Sequence, residues 1–282
     1  MKSKIVAYLV LYKNYLFNKY SRQSYSQEGE DIIISRIFAG KNNGFYIDIG
    51  AHHPQRFSNT YLLYKKGWSG INIDATPNSM DAFRSLRSRD INLEMGVGNI
   101  SKLKSMYLFN DTALNTFDIT NVRRNIQVGY KLVNKKRIKL YKLEYILDKY
   151  AGTKQIDLLN IDVEGLDYEV LKSNNWDKYQ PKVILLETFA YNLEDTINSK
   201  LYKLLNKHNY ALVAKTLNTS IFEKQTSTKE FLIKNEYQKI KSYLNTLKKP
   251  KITKAEKISL IISHFITEGM YLKLKNLSWN WR

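Results

Sequence analysis

The chain contains no cysteine. Disulfide stapling, thiolate metal sites and cysteine nucleophiles are therefore excluded, and cysteine usage leaves the redox compartment undetermined. Proline and glycine are scarce, at 4 and 12 of 282 residues, and no repeat or low-complexity linker is present. Nothing marks two unrelated domains joined by a flexible connector. Long apolar runs are missing as well. The N-terminal run IVAYLVLY at 5–12 would span about 12 Å as a helix, against the ~30 Å of a bilayer core. It is too short to cross a membrane, and no small-residue cleavage pattern follows it.

What is present is a hydrophobic content of 43%, enough for one substantial core with extensions. The net charge of +19 is spread unevenly: about +5 before Tyr25 and about +9 after Glu223 leave about +5 for the long middle. The expected organisation is a basic amphipathic helix over 1–24, a ligand-binding domain over 25–223 and a basic helical extension over 224–282. In the first segment Ile5, Leu9, Tyr12 and Leu16 share one helical face among lysines, which suits docking on the protein itself, on a second subunit or on a membrane surface. In the last, Thr253 and Glu256 form a capping-box pattern ahead of an apolar stripe from Ile258 to Ile266, and Trp279 and Trp281 stand beside Arg282.

The middle alternates strand and helix signals. Helices are expected at 31–38, 58–66, 78–87, 143–150, 167–173 and 195–208, and strands at 45–49, 70–74, 91–97, 156–162 and 182–187. The stretch 98–135 reads as irregular, and the runs YALVAKT and TSIFEK look like a hairpin closing the sheet. This alternation implies an α/β fold with a mostly parallel sheet, whose ligands bind beyond the C-terminal ends of the strands. Asp48, Asp74, Asp162 and Glu187 all stand at such ends. In FYIDIGAHHP (45–54), Gly50 allows a sharp turn that brings backbone close to a ligand, and Asp74 is placed like the acid that binds ribose hydroxyls in doubly wound folds. The absence of G-x-G-x-x-G argues against a nicotinamide dinucleotide.

YSQEGED at 25–31, FYIDIGAHHP, SNTYLLYKKGWSGINIDATP at 58–77, and DLLNIDVEGLDYEVLKSNNW followed by PKVILLE together resemble the FkbM-type S-adenosylmethionine-dependent methyltransferases. The resemblance spans roughly residues 25–215, with several separated motifs in the right order. It implies a Rossmann-like class I methyltransferase fold, with a seven-stranded sheet whose last strand is antiparallel and helices on both faces, and methylation of an oxygen, often a sugar hydroxyl. It also implies S-adenosylmethionine contacts from Asp48, Gly50, Ala51 and His52 on the methionine portion. Asp74 and Ala75 would serve the ribose, Asp162 the same cofactor cleft, and Gln27 and Glu28 would close over the amino-acid end. The chain departs from the class at His52 and Pro54, which stand where further glycines are common.

A sugar hydroxyl needs help to become a nucleophile, and two arrangements are open. In one, Asp162, Glu164 and Glu187 chelate Mg2+ or Mn2+, which lowers the pKa of the hydroxyl. In the other, His53 acts as a metal-free general base. His53 alternatively only hydrogen-bonds its loop, Glu164 alternatively caps the next helix, and Ser58, Asn59 and Thr60 are either ligand contacts or a helix start. ALNTFD at 113–118 is the candidate acceptor wall. The basic run Arg123, Arg124, Lys131, Lys135, Lys136 and Arg137 either meets an anionic acceptor or is a solvated face. The leading expectation is O-methylation of a glycan, nucleotide sugar or lipid-linked saccharide by a cytoplasmic enzyme. It would be peripheral at the inner membrane face if its basic ends touch lipid, and a homo-oligomer is open. The alternatives are a nucleic-acid methyltransferase, disfavoured because the paired-proline amino-methylating signature is absent, and a non-catalytic cofactor-binding partner in glycan synthesis.

Overall fold

The chain divides into two units, residues 1–224 and 225–282. The computed structural model describes residues 21–163, 165–188 and 192–225. The expected terminal helices, including Thr253, Glu256, Trp279 and Trp281, lie outside the described residues, as does Glu164.

A seven-stranded sheet forms the centre. In chain order its strands are β1 (Phe45–Ile49), β2 (Ser69–Asp74), β3 (Ile91–Glu94), β7 (Leu158–Ile161), β8 (Val183–Glu187), β9 (Tyr210–Lys215) and β10 (Thr219–Lys224). Their spatial order is β3-β2-β1-β7-β8-β10-β9. The first five are parallel, and β10 runs antiparallel between β8 and β9. The order reverses between β1 and β7, which opens a crevice above their C-terminal ends. The expected closing hairpin is β9–β10.

Strand β1 is buried along its whole length, as the middle of a covered parallel sheet must be. Its alternation divides the core: Phe45, Ile47 and Ile49 pack with Leu147, Val170 and Phe222, while Tyr46 packs with Ile34, Leu63 and Trp68 on the other face. Burying a side chain such as Ile47 contributes about 1.5–3 kcal/mol. Helix α1 (Glu30–Ile37) leads into β1, and helices α2 (Tyr61–Lys65), α3 (Met80–Leu86), α5 (Leu143–Tyr150) and α6 (Asp167–Lys172) connect strands.

Three expectations need correction. The stretch 98–135 is ordered: β5 (Leu103–Phe109), a single 3-10 turn at Thr112–Leu114, helix α4 (Ile119–Gln127) and the start of β6 (Leu132–Tyr141) fill it. Strand β6 is exposed from Leu132 to Arg137, so neither face selects for apolar residues and no two-residue period appears in the sequence. The run 91–97 splits at Met95, and β4 (Gly96–Val97) joins β6 and β5 in a second, three-stranded sheet. The helix expected at 195–208 is two helices, α7 (Leu193–Asn198) and α8 (Lys200–Lys207). Ser199 breaks it, taking an extended backbone and capping α8 by accepting the Tyr202 N–H at 3.1 Å.

Candidate active site

A cleft with about 890 Å3 of empty space, part of it open to solvent, lies above β1, β2 and β7. Gly50 shapes its floor. Its φ of +82° suits a residue without a side chain, and a Cβ there would sit 1.7 Å from the Asp162 carbonyl oxygen. The Gly50 and Ala51 N–H groups donate to the Ile73 carbonyl, and the Asp162 N–H donates to Ile49. The three strand ends are thereby tied into one crest.

Where class I enzymes commonly carry a glycine, His52 adopts a left-handed backbone with φ 51°, at a typical cost of about 1–2 kcal/mol. Asp74 offsets this by accepting the His52 N–H at 2.9 Å on one carboxylate oxygen, while the other accepts the Thr76 N–H at 2.7 Å. The His52 ring meets the Thr112 hydroxyl at 3.1 Å across the cleft. Burial lowers its pKa, with Asp74 acting in the opposite direction.

The structure brings Gln27, Gly50, His52, Asp74, Ala75, Asp162 and Glu187 to the cleft lining, together with Ala113, Asn115 and Phe117 of the ALNTFD segment. Others are placed elsewhere. Glu28 accepts both the backbone and side-chain N–H groups of Asn218 at 2.9 Å, pinning the 25–31 segment to the β9–β10 turn. Asp31 holds the same segment by accepting from Ser24, Ser26 and the Tyr25 N–H. Ala51 packs beneath the crest against Met80 and Phe83. His53 turns its ring back on its own loop: Nδ1 accepts the N–H groups of Gln55 at 3.1 Å and Arg56 at 2.9 Å. In the neutral ring the proton then sits on Nε2, so no basic nitrogen is left for an acceptor. Its pKa is lowered by partial burial and by neighbouring His52 and Arg56. The general-base role expected for His53 is dropped on this geometry.

Asp48 is the fourth residue of a five-residue strand, on the Tyr46 face and one step short of the crest. Its carboxylate accepts from the Thr60 hydroxyl at 2.6 Å and from Asn160 Nδ2 at 2.9 Å. Thr60 belongs in turn to a buried network that the sequence did not reveal. Arg87, fully buried, donates to Asp90, Tyr46, Thr60 and the carbonyl of Pro54. This network braces the first loop from behind. Ser58 and Thr60 are likewise buried in the start of α2, with the Ser58 hydroxyl accepting the Tyr61 N–H.

The sequence profile of the methyltransferase FkbM domain matches residues 48–212. The chain belongs to the FkbM methyltransferase family, and so to the S-adenosylmethionine-dependent methyltransferases. Among solved structures, this FkbM-family chain is similar to a TehB-like SAM-dependent methyltransferase from Corynebacterium glutamicum ATCC 13032 Kitasato, at 10% identity and a TM-score of 0.36, covering 80% of this chain and 100% of that one. It is also similar to the small RNA methyltransferase HEN1, at 12% identity and a TM-score of 0.36, covering 73% of this chain and 27% of that one. No curated protein matches the chain.

The cleft fits the family's cofactor. Asp74 spends one acceptor position per oxygen on backbone and keeps lone pairs for ribose hydroxyls. Ile73, Met95 and Val97 add apolar lining to the same cleft, which could take the adenine. Asp48, Asp74 and Glu30 all act on Asp162 as like charges. Of the expected three-acid metal site, Asp162 and Glu187 line the cleft and Glu164 lies outside the described residues; among the described residues no group of three His, Asp or Glu side chains could hold an ion. Asp162 and Glu187 hydrogen-bond each other.

Burial pushes the Asp162 carboxyl up to about 6, against the pull of the hydrogen bond from Glu187. Behind the pair, burial pushes Asp167 up to about 8, with Asp162 adding to the shift. The backbone N–H groups of Asp167, Val163 and Gly165 pull the other way, so Asp167 anchors the loop that follows β7.

Proposed function

We propose that this methyltransferase acts on an oxygen, a sugar hydroxyl of a glycan, nucleotide sugar or lipid-linked saccharide, without a metal ion. The observation that supports this reading best is the half-buried Asp162–Glu187 pair at the cleft, with a carboxyl titrating at about 6. Bound S-adenosylmethionine supplies a methyl group already activated on a positively charged sulfur. What the chain must add is an orientation for the acceptor oxygen and a destination for its proton. Above pH 6 Asp162 is ionised and takes that proton, and its hydrogen bond with Glu187 keeps the carboxylate oriented. Asn115, Phe117 and Thr112 form the facing wall, offering polar groups and one aromatic face to a saccharide ring. Asn115 is set by donating to Thr76 at 3.2 Å and accepting the Phe109 N–H at 2.8 Å.

Incubation with tritiated S-adenosylmethionine and a glycan extract, with total RNA in a parallel reaction, tests the reading. Label in an acid-released O-methyl sugar, retained under metal chelation, is the expected result. Label confined to RNA, or dependence on added Mg2+ or Mn2+, would contradict it.

A further inference from the structure

Every residue from Ile126 to Arg137 is exposed. The segment is nevertheless well built. Helix α4 ends in a left-handed turn at Gly129, φ +97°, whose N–H donates to Ile126, and the Tyr130 N–H donates to Asn125. The chain then enters β6, where Lys131 and Asn110 exchange two hydrogen bonds and Leu132 pairs with Phe109 of β5. An ordered tip therefore displays Ile126, Val128, Tyr130, Leu132 and Val133 to solvent, with Val128 67% and Val133 66% exposed. Flanking it are Arg123, Arg124 and Lys131 on the α4 side and Lys135, Lys136 and Arg137 on the β6 side, with no Asp or Glu anywhere between Ile119 and Tyr141.

Apolar side chains held out on a rigid turn contribute nothing to the core, and contiguous patches of them mark interaction sites. The cations choose among partners. A second copy of the tip would bring two sets of like charges together. A nucleic acid would satisfy the cations and leave the aliphatic side chains without a matching surface, since stacking there uses aromatic rings. An anionic bilayer surface satisfies both, taking aliphatic groups at the headgroup level and cations on lipid phosphates. No described helix is long and apolar enough to cross a membrane, so such contact is peripheral.

We propose that the α4–β6 tip seats this enzyme on an anionic lipid surface. The same elements carry the cleft wall, because α4 begins directly after Asn115 and Phe117. Seating the tip would hold the cleft at a fixed disposition to the lipid plane. The proposal stands apart from the acceptor reading, since an enzyme acting on a soluble acceptor can still be held at a membrane.

Flotation of the full-length chain with vesicles of phosphatidylcholine alone, or mixed equally with phosphatidylglycerol, tests it. Wild type is expected on the anionic vesicles and to be released by salt. Val128→Asp/Val133→Asp and Lys135→Ser/Lys136→Ser should each weaken that partitioning about tenfold or more without moving the thermal midpoint, since all four side chains are exposed. Equal binding by wild type and both variants would assign any lipid contact to the basic chain ends and overturn the proposal. So would absence of wild-type binding. If the variants lose self-association or RNA binding while vesicle partitioning is unchanged, the tip serves another partner and the proposal fails.

Discussion

Asp48 and Asp162 stand on and just beyond neighbouring strands of one sheet, and both are pushed up by burial, yet their surroundings differ. Asp48 faces the back of β1, where Thr60 and Asn160 occupy both its oxygens and Arg87 closes the network behind Thr60. Asp162 follows the last residue of β7, half-buried at the cleft, with only another carboxyl as a side-chain hydrogen-bond partner among the causes of its shift. In register Asp48 faces Asn160, two residues before Asp162, and that short distance separates a brace from the proposed base. Residue type and strand-end position do not distinguish the two roles; the partners already engaged do.

The widest separation between them should appear on substitution. Asp162→Asn is expected to lower the rate of methyl transfer by about 10²–10⁴-fold while leaving the unfolding midpoint within a degree or two. Comparable losses of rate and stability together would make Asp162 structural. Arg87→Met should do the reverse, costing about 3–5 kcal/mol in urea unfolding because Asp90 is left as an uncompensated buried charge. Unchanged stability would show that the network is dispensable. Asp48→Asn is expected to lie between, losing about 1–3 kcal/mol of stability, with any loss of activity following from weaker cofactor binding measured by calorimetry.

Acidity sharpens the same contrast. Asp167 moves from an ordinary 3.8 to about 8 on folding, so the folded state binds this proton more tightly than the unfolded chain does. Its contribution to stability is complete below about pH 4 and is lost as pH rises through 8, at up to ~1.4 kcal/mol per pH unit. Asp167→Asn should remove that decline and be the more stable protein at pH 9; thermal melts across pH 5–9 that run parallel for both proteins would contradict it. The smallest effect is expected at Phe57, which takes φ 57° while 43% exposed at the cleft mouth. Phe57→Gly should gain about 1 kcal/mol of stability by relieving the backbone and raise the KM for the acceptor; a fall in stability would mean that the ring packs more usefully than its exposure suggests.

The crest was largely legible in the sequence. Apolar runs ending in acids, with Gly50 after the first, place Asp74, Asp162 and Glu187 at one end of a parallel sheet because strand alternation and topology follow from residue pattern. The network behind it was not. Arg87 lies in SLRSRD, which reads as a solvated helix end, and only the fold brings Asp90, Tyr46, Thr60 and the Pro54 carbonyl around it. The fate of His53 was equally hidden, since a two-residue turn decides whether Nδ1 faces a ligand or the backbone. Strand β6 escaped notice because periodicity reports burial, and this strand has little.

Brace and base are told apart by which acid meets the reacting centre. A crystal structure with S-adenosylhomocysteine measures this directly: the expected result is ribose hydroxyls on Asp74 and the sulfur facing Asp162, with Asp48 still bound to Thr60 and Asn160. A sulfur directed toward Asp48 or His53, with Asp162 turned out of the cleft, would contradict it.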